Sequence, residues 1–97
     1  MNTKANYLSL LADFKIKRAV IYGINKIGIF GSVARNEQTS QSDVDIYYEG
    51  NSLSLFKTAA LKEELENLLH CPVDLVRLRE SMNASLKTRI ETEGVYV

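Results

Sequence analysis

The sequence has little of several features that define other classes of protein. It contains one cysteine, Cys71, and one histidine, His70. A single cysteine excludes an internal disulfide and a cysteine-based zinc site. Both residues stand just before Pro72, where a helix is expected to give way to a strand. We therefore expect a packed thiol and a capping or exposed imidazole, and no catalytic task for either residue.

The chain also has no net charge, because twelve basic residues balance twelve acidic residues. Such a chain has no general electrostatic attraction to a long nucleic acid, so we expect no direct nucleic-acid binding. Apolar runs are short, and none approaches the ~20 residues that a membrane span needs. The amino terminus, interrupted by Lys4 and Asp13, does not resemble a secretory signal. We expect a cytoplasmic protein that does not associate with membranes.

The composition fits one compact domain. Hydrophobic residues make up 45% of the chain and charged residues 25%, with one proline and no repeat or low-complexity segment. A chain of 97 residues has room for one hydrophobic core. We therefore expect a single domain over residues 1–97.

Hydrophobic spacing predicts alternating helices and short strands, which is typical of an α/β or α+β fold. A core-facing stripe is expected on the long middle helix, with Phe56 as its first member. The predicted elements are a helix from about Thr3 to Tyr22, a strand from about Lys26 to Phe30, a short helix from Ser32, a strand from Asp43 to Tyr48, a helix capped by Ser54 and reaching about Leu69, a strand at Val73–Val76, a helix capped by Ser81 and reaching about Thr92, and a short edge strand or docked tail at Val95–Val97.

The segment Gly31–Arg35, with sequence GSVAR, follows the first predicted strand and opens a short helix. Backbone N–H groups at a helix start have no intrahelical partner and carry partial positive charge, so they accept phosphate oxygens. Gly31 permits close approach, and Ser32 adds a hydroxyl. Ser32 could also be a simple helix cap. Arg35 could pair with an acid such as Glu37, or contact phosphate or a partner protein.

Two carboxylates follow on the next predicted strand. Asp43 and Asp45 alternate with the apolar Val44 and Ile46, so both are expected on one face of the strand. Residues two apart lie about 6–7 Å apart along a strand. The two carboxylates can therefore converge on hard cations such as Mg²⁺. Tyr47 shares this face, but we expect it to pack.

A third carboxylate, Asp74, interrupts an apolar run that predicts a fully buried strand. An isolated charge in a core is strongly disfavoured, whereas a carboxylate at a metal site is neutralised. An exposed strand edge could explain Asp43 or Asp45 alone, but it explains poorly both of them together with the Gly-Ser loop and Asp74. The set therefore indicates a metal site beside a phosphate-binding loop.

These residues together resemble the DNA polymerase β-like nucleotidyltransferase superfamily, whose signature is Gly-Ser, a short spacer, Asp-x-Asp and a third Asp on a later strand. More narrowly, the chain resembles minimal nucleotidyltransferases of the MNT type over nearly its whole length, as far as the closing segment Glu93–Val97. Asn36 departs from the pattern, because a glycine commonly follows the arginine. Asparagine tolerates left-handed backbone geometry, so Asn36 can still turn the chain out of the short helix.

The resemblance implies a fold and an activity. The fold is a small mixed β-sheet with helices packed against it, and the activity is nucleotidyl transfer from ATP that depends on two Mg²⁺ ions. By the same resemblance, the catalytic and metal-binding residues are Asp43, Asp45 and Asp74, and the nucleotide-binding residues are Gly31, Ser32 and Arg35.

The resemblance also implies a partner. MNT-type proteins commonly act as antitoxins of HEPN-domain ribonucleases, and they add AMP to a tyrosine of that toxin. We therefore expect an AMP-transferring antitoxin with a HEPN-domain partner. Two alternatives remain: a non-catalytic antitoxin that masks its partner, and one half of a small-molecule nucleotidyltransferase.

Overall fold

The computed structural model describes residues 3–39 and 43–97, in which helices and strands alternate. No helix within these two ranges is both long enough and apolar enough to cross a membrane. The helices are α1 (Lys4–Arg18), α2 (Gly31–Ala34), α3 (Leu55–Leu69) and α4 (Ala84–Glu93), with a 3₁₀ turn at Ala19–Tyr22. The strands are β1 (Ile24–Phe30), β2 (Val44–Gly50), β3 (Val73–Arg77) and β4 (Val95–Tyr96).

The strands form one mixed sheet in the order β3-β2-β1-β4. Strand β1 runs antiparallel to both β2 and β4, whereas β2 and β3 are parallel. A parallel pair needs a crossover connection, and α3 provides it. The structure therefore confirms the predicted α/β fold with a small mixed sheet and packed helices. It also confirms the short edge strand near the end of the sequence.

One face of the sheet carries the main core. Side chains alternate between faces along a strand, and on this face Ile27, Ile29 and Ile46 are fully buried. Leu11 of α1 and Leu61 of α3 belong to the same cluster. Burial of one such side chain contributes about 1.5–3 kcal/mol. This face therefore supplies most of the hydrophobic stabilisation.

The opposite face carries a smaller cluster under α4. Ile90 of α4 is buried in this cluster together with Phe30 and Tyr47. The two aromatic rings meet edge to face, with their centroids 6.2 Å apart and their planes at 64°. Tyr47 is therefore a packing residue, as expected.

Helix caps confirm one predicted boundary and correct another. Ser54 accepts a hydrogen bond from the Lys57 N–H at 3.1 Å, so it caps α3 as predicted. The predicted cap Ser81 is wrong. Asn83 is the cap of α4, and its Oδ1 accepts from the Leu86 N–H at 3.0 Å. Asparagine and serine are comparably good caps, so composition alone does not choose between them.

Two positions predicted to be buried are exposed. Phe56 is 88% exposed, because it lies five residues before buried Leu61 and is therefore rotated about 140° away on a helix with 3.6 residues per turn. Asp74 is also exposed. Its strand, β3, forms an edge of the sheet, so the prediction of a fully buried strand is wrong. The case for Asp74 as a site residue then depends on its neighbours in the sheet.

Candidate active site

The register of the sheet brings the predicted carboxylates together. Asp45 pairs with Phe30 of β1 on one side and with Asp74 of β3 on the other. Paired residues on neighbouring strands lie about 5 Å apart and point to the same face. Asp43 immediately precedes β2, two residues before Asp45. The structure therefore places Asp45 and Asp74 side by side, with Asp43 one pleat away.

Burial and electrostatic repulsion both disfavour the ionised form of Asp45. Asp45 is half-buried, whereas Asp43 and Asp74 are exposed. Burial raises the pKa of Asp45, and the negative charges of Asp74 and Asp43 raise it further. The positive charges of Arg89 and Arg35 lower this pKa in part. A bound cation would offset both the cost of burying Asp45 and the repulsion between the carboxylates.

Gly31 places the backbone of α2 directly against this carboxylate. Its φ angle is +72°, and a Cβ at this position would collide with Oδ2 of Asp45. Gly31 therefore lies in close contact with Asp45, whereas its predicted contact with phosphate stays a prediction. The simple-cap interpretation of Ser32 is wrong, because Phe30 holds the cap position of α2 and makes no side-chain cap hydrogen bond. Ser32 lies inside the first turn of α2 and is half-buried.

The far end of α2 is fixed by contacts from two directions. Asn36 has φ +59° and turns the chain out of the helix, as expected. The Glu37 N–H donates to the Ser32 carbonyl at 2.8 Å. Lys4 of α1 donates through Nζ to the Ala34 carbonyl at 2.9 Å. The last contact joins residues 30 positions apart, and no local pattern could have predicted it.

Arg35 makes two ion pairs. Its guanidinium donates to Glu37 at 2.5 Å and to Glu93 at 2.9 Å. The structure therefore shows the predicted pairing with Glu37, and it adds a link from α2 to the end of α4. Exposed ion pairs of this kind contribute little stability. A phosphate contact by Arg35 stays a prediction.

The carboxylates suit a hard cation by their chemistry. Among residues 3–39 and 43–97, no three Asp, Glu, His or Cys side chains are already arranged to hold a metal ion. Mg²⁺ prefers oxygen ligands and keeps several waters and substrate phosphates, so a few carboxylates are sufficient. Asp43, Asp45 and Asp74 offer such oxygens on adjacent positions of one face, where their mutual repulsion needs a counter-charge. The donor set therefore fits Mg²⁺.

Cys71 and His70 have the structural roles expected of them. The Cys71 sulfur lies 3.9 Å from the Tyr7 hydroxyl, and burial raises the pKa of this thiol. A reactive cysteine needs a lowered pKa. His70 is exposed and ends α3 in a left-handed conformation with φ +57°.

Comparison with known proteins identifies the class. Residues 9–97 match the family model described as polymerase beta nucleotidyltransferase. The chain therefore belongs to the polymerase β nucleotidyltransferase family, and the fold described above is the fold of that family. The prediction of a nucleotidyltransferase is confirmed.

Similar individual proteins are minimal members of this family. The protein adenylyltransferase MntA of Thermococcus cleftensis is 38% identical over 90 residues, which are 92% of this chain and 90% of that protein. A chain in a crystal structure of a toxin-antitoxin with AMP-PNP superposes with a TM-score of 0.72 at 28% identity, covering 98% of this chain and 72% of that chain. A chain in the structure of a tri-AMPylated Shewanella oneidensis HEPN toxin in complex with MNT antitoxin gives a TM-score of 0.67 at 25% identity, covering 97% and 71%.

These similarities confirm the narrower resemblance to minimal nucleotidyltransferases of the MNT type. The individual roles of the carboxylates and of the loop residues stay predictions. Ser42, which precedes the first carboxylate, lies outside the described residues.

Gly31→Ala should show whether the close contact of Gly31 with Asp45 matters for nucleotide binding as well as for stability. We expect this variant to bind AMP-PNP at least about tenfold more weakly and to lose about 1–3 kcal/mol of stability, because alanine disfavours positive φ and its Cβ would displace Asp45. Calorimetric titration and thermal melting measure the two effects.

Gly23→Ala is the matched control for this test. Gly23 has φ +65°, and a Cβ there would collide with the side chain of Asn51 rather than with a carboxylate of the site. The control should lose stability but keep its nucleotide affinity. Similar affinity losses in both variants would mean that the close approach of Gly31 to Asp45 has no special importance.

Asp45→Asn should change how stability depends on pH. Because the pKa of Asp45 is raised in the fold, its ionisation disfavours the folded state, and the contribution of Asp45 to wild-type stability should fall as pH rises above about 4, the usual aspartate pKa. The asparagine variant lacks this loss, so without metal it should melt at a higher temperature than wild type at neutral pH. A gain of about 1 kcal/mol would appear as about 4–8 °C in a domain of this size.

Melting curves between about pH 4 and pH 8 in the presence of a chelator test this expectation. Asp13→Asn is the control, because Asp13 is an exposed carboxylate paired with Lys17 at 3.1 Å. If the difference between wild type and Asp45→Asn did not grow with pH, repulsion and burial at Asp45 would not be significant.

Proposed function

We propose that this chain is a cytoplasmic, Mg²⁺-dependent antitoxin that acts as a single domain over residues 1–97. It transfers AMP from ATP to a tyrosine hydroxyl of a HEPN-domain toxin and so neutralises the toxin. The observation that carries the proposal is the position of Asp45, which pairs with Asp74 and lies against Gly31. The AMPylated HEPN toxin found in complex with an MNT antitoxin supports the choice of acceptor.

The first turn of α2 binds the triphosphate in this proposal. The first N–H groups of a helix have no intrahelical acceptor and attract anions. Gly31 and Ser32 begin α2 directly beside Asp45. The Ser32 hydroxyl adds a donor, and Arg35 can exchange its exposed ion pairs for phosphate oxygens.

Asp43 and Asp45 hold two Mg²⁺ ions in this proposal, and Asp74 completes the ligand set. Bound Mg²⁺ would supply charge neutralisation of the phosphates and of the departing pyrophosphate. Asp74 lies on the edge strand and is exposed. An acceptor from another protein can therefore reach it.

Asp74 also receives the acceptor proton. The tyrosine oxygen attacks the α-phosphorus, the bond from that phosphorus to the pyrophosphate breaks, and the hydroxyl proton moves to the Asp74 carboxylate. The products are an AMP-tyrosine phosphodiester and pyrophosphate. Loop amides at the start of α2 would stabilise the charge on the leaving group.

The proposal predicts a mass change in the partner. When the chain is coexpressed with the product of its neighbouring gene, that product should gain AMP-sized increments, and peptide mapping should locate them on tyrosine. The double variant Asp43→Ala/Asp45→Ala should add none. Intact-mass spectrometry of the purified partner measures the outcome.

The same experiment distinguishes the two alternatives. Silencing of the partner by the double variant, with no added mass in either case, would favour masking over catalysis. AMP incorporation into a small molecule without any protein acceptor would favour a small-molecule nucleotidyltransferase. Thermal melting of the double variant confirms that it remains folded.

Asp74→Ala should separate catalysis from nucleotide binding. We expect transfer to be lost while most of the Mg·ATP affinity remains, because Asp43 and Asp45 still hold the ion on the triphosphate. Asp43→Ala should reduce the affinity itself. Titration with AMP-PNP in the presence of Mg²⁺ compares the two variants, and equal losses of affinity would contradict the separate role given to Asp74.

A further inference from the structure

Helix α4 lies on the same face of the sheet as the carboxylates. Ile90 of α4 packs on Phe30, which pairs with Asp45 and directly precedes Gly31. The end of α4 contacts the loop as well, because Glu93 accepts from Arg35 at 2.9 Å. Helix α4 therefore borders the candidate site together with α2.

Arg89 occupies the face of α4 that is turned towards the site. Residues four apart lie on one side of a helix, so Arg89 shares the side of Glu93, which faces the loop. Arg89 is exposed. Among the charges that lower the pKa of Asp45, that of Arg89 is the largest, ahead of Arg35. Both observations place a positive charge near the carboxylates.

Among the described residues, Arg89 has no side-chain partner, unlike the neighbouring cations. Arg35 is paired with two glutamates, and Lys87 of α4 pairs with Glu80 at 2.8 Å. Within residues 3–39 and 43–97, the Arg89 side chain forms neither an ion pair nor a hydrogen bond. A guanidinium with free donors that faces a nucleotide site can bind phosphate oxygens in a bidentate manner.

We propose that Arg89 is a nucleotide-contacting residue that binds phosphate oxygens of the triphosphate from the α4 side of the site. The proposal rests on the proposed function, since it needs a nucleoside triphosphate in this site. It gives α4 a binding task in addition to its packing through Ile90. It also adds a positively charged ligand that the sequence motifs do not contain.

Titration of the full chain with AMP-PNP, ADP and adenosine in the presence of Mg²⁺ tests the proposal. Arg89→Ala should weaken AMP-PNP binding by about 10- to 100-fold, the usual effect of losing a charged hydrogen bond. Adenosine affinity should not change, because adenosine has no phosphate. Arg89→Lys should restore part of the affinity, since lysine keeps the charge but loses the bidentate geometry.

Lys87→Ala is the matched control, because it removes the same charge from the same helix two residues away. This control should bind AMP-PNP within about twofold of wild type, and thermal melting should show both alanine variants folded. Equal AMP-PNP affinity in Arg89→Ala and wild type would overturn the assignment of Arg89 and leave the proposed function intact. An equal loss in Lys87→Ala, or an equal loss for adenosine, would also overturn it. Failure of wild type to bind AMP-PNP would overturn the proposed function and the Arg89 assignment together.

Discussion

The hydrogen-bonded register of β2, between antiparallel β1 and parallel β3, determines where each site residue points. The same register places Ile46 in the main core and Asp45 on the opposite face. A shift by one residue would exchange these faces and bury the carboxylates in a hydrophobic cluster. Packing on one side of the sheet therefore determines the positions of the charged side chains on the other side. The site needs no separate scaffold, because the core that stabilises the fold also orients the carboxylates.

The site contains several locally unfavourable features at one end of the sheet. Asp45 is half-buried beside two other carboxylates, and Gly31 has a backbone conformation that other residues rarely adopt. Such features persist only where the surrounding structure determines them strongly. Here the fully buried Ile29 and Ile46 lie in the adjacent positions of β1 and β2. The hydrophobic core therefore compensates for the burial and repulsion of the Asp45 carboxylate, which bound cations would offset.

Part of this arrangement could be predicted from sequence, because some signals are local. Alternation along a strand placed Asp43 and Asp45 on one face, and the tolerance of asparagine for positive φ explained the turn at Asn36. The prediction of a fully buried strand around Asp74 was wrong, since an apolar run does not distinguish a central strand from an edge strand. No local sequence pattern indicates the contacts between distant parts of the chain. Lys4 reaches the loop from α1, and the place of Arg89 depends on how α4 crosses the sheet.

The charge distribution favours cations as part of the proposed site. The chain carries no net charge, so it does not attract a triphosphate from a distance. Close to the site, three carboxylates repel the phosphates, and this repulsion is strong where water is partly excluded. A polyanion can bind there only if positive charge accompanies it or is already present. In the proposed function, divalent cations held by the carboxylates would meet the first condition on the β2 and β3 side. On the α4 side, Arg89 and Arg35 both lower the pKa of Asp45 and meet the second. The phosphates would therefore lie between metal-bound carboxylates and guanidinium groups, with the first turn of α2 at one end.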